Sequence, residues 1–137
     1  MSIEIIDYNN QRYACIIRKD INIEGKKFFS SPKDFLQVGY MNLKKDETLR
    51  PHIHKPQNKN IYENQEVLYL VSGKMKVSFY DKIPKKINEA YLTSGDLIIL
   101  LSGGHGFKFL EDTIMIEIKQ GPYNGQNNDK MFLEVIE

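Results

Sequence analysis

Glu66-Val67-Leu68-Tyr69-Leu70-Val71-Ser72-Gly73-Lys74-Met75-Lys76-Val77-Ser78-Phe79-Tyr80 is the stretch that decides the fold. Its two halves are rich in β-branched and aromatic residues and meet at Ser72-Gly73, a turn signal, which predicts two strands joined by a tight connection. The second half alternates, with Met75, Val77 and Phe79 on one face. That is the period of a half-buried strand, not of a helix. Working outward, brief strand-like segments recur at 2–6, 13–17 and 36–43. Leu97-Ile98-Ile99-Leu100-Leu101 reads as a buried strand, and Thr113-Ile114-Met115-Ile116-Glu117-Ile118 puts three isoleucines on one side. No window of a dozen residues carries a helical stripe, and 31–35 is expected to form no more than one turn. Further turn signals stand at Ser94-Gly95-Asp96 and Gly103-Gly104. Many short strands at close spacing predict an all-β sandwich or barrel. Residues 55–64, polar with one proline, read as a long loop. Residues 121–129 read as a second polar segment before a short terminal element at 131–136.

Composition sets the outer bounds. A chain of 137 residues predicts one domain with a single core. Nineteen Lys and Arg against eighteen Asp and Glu leave a formal charge of +1, which gives no electrostatic case for nucleic acid. The longest uninterrupted apolar run, 97–101, is far short of the ~20 residues a membrane helix needs. The first residues lack the charged start and apolar core of a signal peptide. The lone Cys15 excludes an internal disulfide, fits a reducing compartment and reads as a buried structural thiol. A soluble cytoplasmic protein is therefore expected.

The chemistry-bearing residues are few. His52 and His54 stand two apart, so on an extended strand both imidazoles would share a face. Glu66 opens the strong strand and His105 follows Gly103-Gly104. Imidazoles and a carboxylate converging from neighbouring strands can hold iron, manganese, nickel, cobalt or zinc. Three nitrogens and one oxygen would leave two octahedral positions open to water or substrate. Glu63 is an alternative carboxylate ligand.

These residues resemble the cupin superfamily. Its first motif, G-x5-H-x-H-x3–4-E-x6-G, is matched by His52-Ile53-His54, Glu66 and Gly73, with eleven residues between His54 and Glu66. Its second, G-x5-P-x-G-x2-H-x3-N, is similar to Gly95-Asp96-Leu97-Ile98-Ile99-Leu100-Leu101-Ser102-Gly103-Gly104-His105. Asp46 stands where the first glycine would be, Leu101 replaces the proline, and His105 arrives one residue early. The resemblance implies a double-stranded β-helix (jelly-roll) barrel with its core at about 36–118 and terminal arms at 1–35 and 119–137. It also implies one divalent metal ion on His52, His54, Glu66 and His105. Pro51-His52-Ile53-His54, Gln65-Glu66-Val67-Leu68, Gly103-Gly104-His105-Gly106-Phe107 and Ile118-Lys119-Gln120-Gly121-Pro122-Tyr123 further resemble small bacterial cupins that accompany surface-polysaccharide and sugar-nucleotide enzymes. This leans the expected substrate toward carbohydrate.

Arg50 lies on the same alternation as the two histidines and could hold a carboxylate or phosphate bidentately, unless Pro51 turns it to solvent. Phe107 and Phe109 share parity with His105 and are candidates to wall the pocket. Leu68 and Leu70 share parity with Glu66 and read first as core. Tyr69, Tyr80 and Tyr123 read as packing or hydrogen-bond anchors, and Lys82, Lys85 and Lys86 as a solvated loop. No Gly-x-Ser-x-Gly elbow or phosphate-cradling loop occurs. The expected function is a metal-dependent isomerase or epimerase acting on a polar, carbohydrate-derived small molecule. A non-catalytic sugar- or acid-binding module and an iron-dependent dioxygenase are the alternatives. No catalytic residue is assigned. A homodimer is expected, through 3–6 and 132–136 at sheet edges.

Overall fold

The structure, a computed structural model, describes residues 2–135, apart from the side chains of residues 127 and 128. In chain order its strands are β1 (Ile3–Tyr8), β2 (Gln11–Ile17), β3 (Gly25–Phe28), β4 (Gly39–Asn42), β5 (Glu66–Ser72) and β6 (Lys74–Tyr80). They continue with β7 (Lys86–Thr93), β8 (Leu97–Leu100), β9 (Gly104–Phe109) and β10 (Ile114–Lys119), followed by one helical turn, α1 (Gln126–Asp129). The chain is all-β, as the alternation predicts. Three antiparallel sheets form and none is closed: β1-β2-β8-β5-β10, β7-β6-β9, and the hairpin β3-β4. Among the described residues no helix is long and apolar enough to cross a membrane.

The five- and three-stranded sheets share one core. Ala14, Ile16, Leu68, Leu70, Ile98 and Leu100 from the larger sheet meet Met75, Val77, Phe79, Ala90 and Leu92 from the smaller. Burying side chains of this kind contributes roughly 1.5–3 kcal/mol apiece for the larger ones, before the entropy cost of ordering them. Leu68 and Leu70 are core, and so is the predicted face of β6. Gly73 links β5 to β6 with φ +100°, and a Cβ there would fall 2.4 Å from Thr113 Oγ1. The turn therefore requires glycine.

The outer face of the larger sheet is covered in part. Cys15, Ile17, Val67, Ile99 and Leu101 lie under Ile21, Phe29, Leu36 and Val38. With both faces covered, β8 carries a continuous apolar run instead of an alternating one. The cover stops short of β10. Ile114, Ile116 and Ile118 share a side, as expected, but that side faces solvent at 62%, 52% and 55% exposure. Met115, on the opposite side, packs against the core.

Elsewhere the structure departs from the sequence reading in its strands and at 131–135, and agrees with it at 31–35 and 55–64. Of the segment 36–43 only β4 is a strand, and β3, β7 and β9 are further strands. Residues 31–35 hold a turn in which the Asp34 N–H donates to the Ser31 carbonyl at 2.9 Å. Residues 55–64 carry no regular structure, and neither do 131–135. Residue 136 of the expected terminal element lies outside the described residues.

Candidate functional site

Strand register positions the site. Glu66 shares a face of β5 with Leu68 and Leu70, which is the core face. On the adjacent β10, Lys119 stands directly opposite Glu66, and Glu117 opposite Leu68. Both charged side chains therefore turn to the same face. In the other sheet, His105 of β9 stands opposite Phe79 of β6, another core-facing residue. The two sheets bring His105 Nε2 within 2.8 Å of Glu66 Oε1. The imidazole stacks on Phe107, with centroids 5.3 Å apart and planes at 22°.

Gly103 makes that meeting possible. Its φ is +75°, and a Cβ there would lie 2.2 Å from Cε2 of the buried Tyr13. The left-handed turn between β8 and β9 delivers His105 to the core face although it comes one residue short of the cupin spacing.

The charges around Glu66 act on one another at short range. Burial pushes its carboxyl up, but hydrogen bonds with His105 and Glu117 and the positive charges of His105 and Lys119 outweigh burial and bring its pKa down to about 2. Glu117 moves the other way. Its hydrogen bond with Glu66, its burial and the Glu66 charge raise it, against Lys119 and Lys130. Of the two carboxyls, Glu117 is the one that keeps its proton longer. Lys119 Nζ continues the line, 3.9 Å from Glu117, 3.0 Å from Asp129 and 5.1 Å from the Tyr123 ring centroid.

His52 and His54 lie apart from any strand, in the exposed, irregular segment 43–64. Pro51 and Pro56 remove two N–H donors that a ladder there would need. The two rings still face each other, with centroids 5.1 Å apart. The His52 Nδ1–H donates to the Arg50 carbonyl at 2.8 Å. Because a carbonyl can only accept, this bond makes Nε2 the lone-pair nitrogen of the neutral His52 ring. Arg50 is exposed, as Pro51 allows, and Phe109 is half-exposed. Glu63 lines an open cleft of about 610 Å³ with Arg12, Asp34 and Gln65. Cys15 is buried, which pushes its thiol up as befits a structural role.

The donor chemistry suits a divalent ion, since imidazole nitrogen and carboxylate both ligate the metals named above. The arrangement is two separate pairs, Glu66–His105 and His52–His54. Among the described residues no group of three or more His, Cys, Asp or Glu stands close enough to hold a metal ion.

Sequence reading missed Glu117, Lys119 and Gln120. Their signal was the alternation of β10, where two charges interleave with the isoleucines. Glu117 and Lys119 must therefore lie on the face opposite the isoleucines, whichever face is buried. A second cleft, of about 410 Å³, is lined by Lys59, Asn64, Gln120, Pro122, Asn124 and Asp129. No family model, curated protein or solved structure matches the chain.

Proposed function

We propose that the chain is a small cupin-type protein that binds a polar, carbohydrate-derived molecule at the Glu66–His105 end of its sandwich. It acts there with a divalent metal ion, by proton transfer of the isomerase or epimerase kind. The observation that carries this reading is the 2.8 Å meeting of Glu66 and His105 from opposite sheets. A part-buried carboxylate held against an imidazole is costly to maintain for packing alone, and such perturbed groups concentrate at functional sites.

Glu66 and His105 would supply the first two ligands, and His52 and His54 the others. The Nδ1 bond of His52 fixes the tautomer a ligand needs. Once bound, the ion supplies Lewis-acid polarisation of a substrate oxygen. The protein's own contribution is proton handling and orientation. Glu117 keeps a carboxyl proton beside Glu66, Lys119 offsets the paired carboxylates, and Phe107 holds the His105 ring by stacking. The same reading includes a homodimer and a cytoplasmic location.

The test is elemental analysis and calorimetric titration of protein purified without a metal-chelating tag. Parent protein is expected to hold iron, manganese, nickel, cobalt or zinc near stoichiometry. Glu66→Gln, His105→Asn and the double variant His52→Ala, His54→Ala are each expected to lose it. Failure of the parent to bind any of the five ions would end the metal reading in favour of the non-catalytic binding module. Retention by Glu66→Gln and His105→Asn together would move the site away from this pair.

A further inference from the structure

The 410 Å³ cleft lies beside the charged line just described, and its chemistry differs from it. One wall comes from the irregular segment through Lys59, Ile61 and Asn64, the other from Gln120, Pro122 and Asn124. Its volume falls within the range typical of small-molecule sites. Asp129, which also lines it, is bonded to Lys119 at 3.0 Å, and Lys119 stands opposite Glu66 in the ladder.

Gln120 is the informative residue. Its Oε1 accepts the Gln65 N–H at 2.8 Å, and its Nε2 is buried with no hydrogen-bond partner among the described residues. The amide cannot be turned over to relieve this, because Nε2 would then face the Gln65 N–H, donor against donor. Gln65 is itself pinned: it is 3% exposed, and its own Oε1 accepts the Leu36 N–H at 2.9 Å. An orphaned donor of this kind costs stability unless something accepts from it.

The surroundings define what that acceptor is. The charged residues lining the cleft are one of each sign, Lys59 and Asp129, and Asp129 is already paired with Lys119, so the cleft has no cluster of cations to select an anion. The exposed Asn64 amide carries both a donor and an acceptor group, the Gln120 Nε2 is a donor, and a hydroxyl can meet either kind. Ile61 and Pro122 provide apolar contact for the C–H face of a ring. Resting on the small-molecule reading above, we infer that this cleft is a subsite for the hydroxyl-bearing ring of a neutral sugar, with Gln120 Nε2 donating to a ring hydroxyl oxygen. The Glu66–His105 pair then faces the reacting end of the same ligand.

The experiment is a titration of ¹⁵N-labelled full-length protein, followed by two-dimensional NMR. The probes are the methyl α-pyranosides of glucose, galactose and mannose, with sodium phosphate as the anionic control. At least one glycoside is expected to give saturable shifts in the side-chain amide signals of Gln120 and Asn64, while phosphate gives none. Gln120→Met removes the donor and offers a ring hydroxyl no acceptor in its place. It is expected to weaken glycoside binding by about tenfold or more, the loss of one hydrogen bond in a desolvated site. Asn64→Ala, at an exposed position, guards against a folding defect in the first variant and is expected to weaken binding at an unchanged melting temperature. No saturable amide shift with any of the three glycosides, or shifts with phosphate instead, overturns the assignment. Manganese broadening of the His105 signals without a glycoside response would overturn the subsite and leave the metal reading standing. A glycoside response without any metal binding would support the subsite and remove the metal reading.

Discussion

Arg18 and Asp96 are 78 residues apart in sequence, yet Arg18 Nη1 donates to Asp96 Oδ2 at 3.1 Å. The carboxylate is 1% exposed. It also accepts the backbone N–H groups of Lys19 and Thr93, each at 2.9 Å. Arg18 reaches in addition to Glu4 at 2.8 Å and to the Tyr91 carbonyl at 2.6 Å. Asp96 thus ties the residues that end β2 to the end of β7, and Arg18 carries the link on to Glu4 of β1, joining the two sheets there.

Asp96→Ala leaves the Lys19 and Thr93 N–H groups and the part-buried Arg18 guanidinium without this acceptor. Breaking a buried pair from one side costs roughly 3–5 kcal/mol, and the partial exposure of Arg18 argues for the lower end, about 3 kcal/mol. Urea denaturation is expected to show this as a lower midpoint at unchanged slope. A loss under about 1 kcal/mol would mean that water replaces the carboxylate and that the network does not hold the sheets together.

The Glu66 cluster gives stability a defined pH dependence. Glu66 has a folded pKa of about 2, below its unfolded value, so its contribution is complete above the ordinary carboxylate range. That contribution is lost as pH falls toward 2. Glu117 has the opposite sign: its raised pKa gives a contribution present at low pH and lost as pH rises through the raised value. Stability of the parent is therefore expected to fall between about pH 4.5 and 2 by on the order of 2 kcal/mol more than that of Glu66→Gln. Parallel acid limbs for the two proteins, measured by urea titration at each pH, would remove Glu66 as the source.

How far the sequence carries this picture depends on burial. β5, β6 and β8 are legible because one or both of their faces are covered, so periodicity and core coincide. β7 is not: Asn88 and Glu89 are exposed, and only Ala90 and Leu92 are fully buried, too sparse a pattern to mark a strand. β3 is fully exposed and four residues long. β10 shows the limit of the apolar-inward rule, since the outward face is the more hydrophobic one where no cover reaches it. At the site, Glu66 and His105 are found from spacing because each sits on a strand. The His-x-His argument assumes a strand that the prolines beside it do not allow.

Gly103→Ala tests whether the β8–β9 turn positions His105. Alanine at φ +75° is strained, and its methyl group would run into the Tyr13 ring. A loss of at least about 2 kcal/mol is expected, together with a changed His105 ring environment by NMR. If stability falls while the His105 and Phe107 signals keep their shifts, the turn serves packing and not the site.

Ile116 sits at the middle of the exposed stripe on β10, the edge strand of its sheet. An uncovered apolar edge offers unpaired backbone groups to another strand. Its sequence suits a second copy of itself. Antiparallel pairing about a two-fold axis at Ile116 sets Ile114 of one copy opposite Ile118 of the other, Met115 opposite Glu117, and Thr113 opposite Lys119. The isoleucines stay on one continuous face and no like charges are opposed, as an isologous interface requires. Ile116→Lys would place two ammonium groups against each other at the axis. Light scattering coupled to size exclusion is expected to report a dimer for the parent and a monomer for Ile116→Lys, at a melting temperature consistent with intact folding. A parent that stays monomeric at high concentration, or a variant that stays dimeric, would place any self-association on another surface.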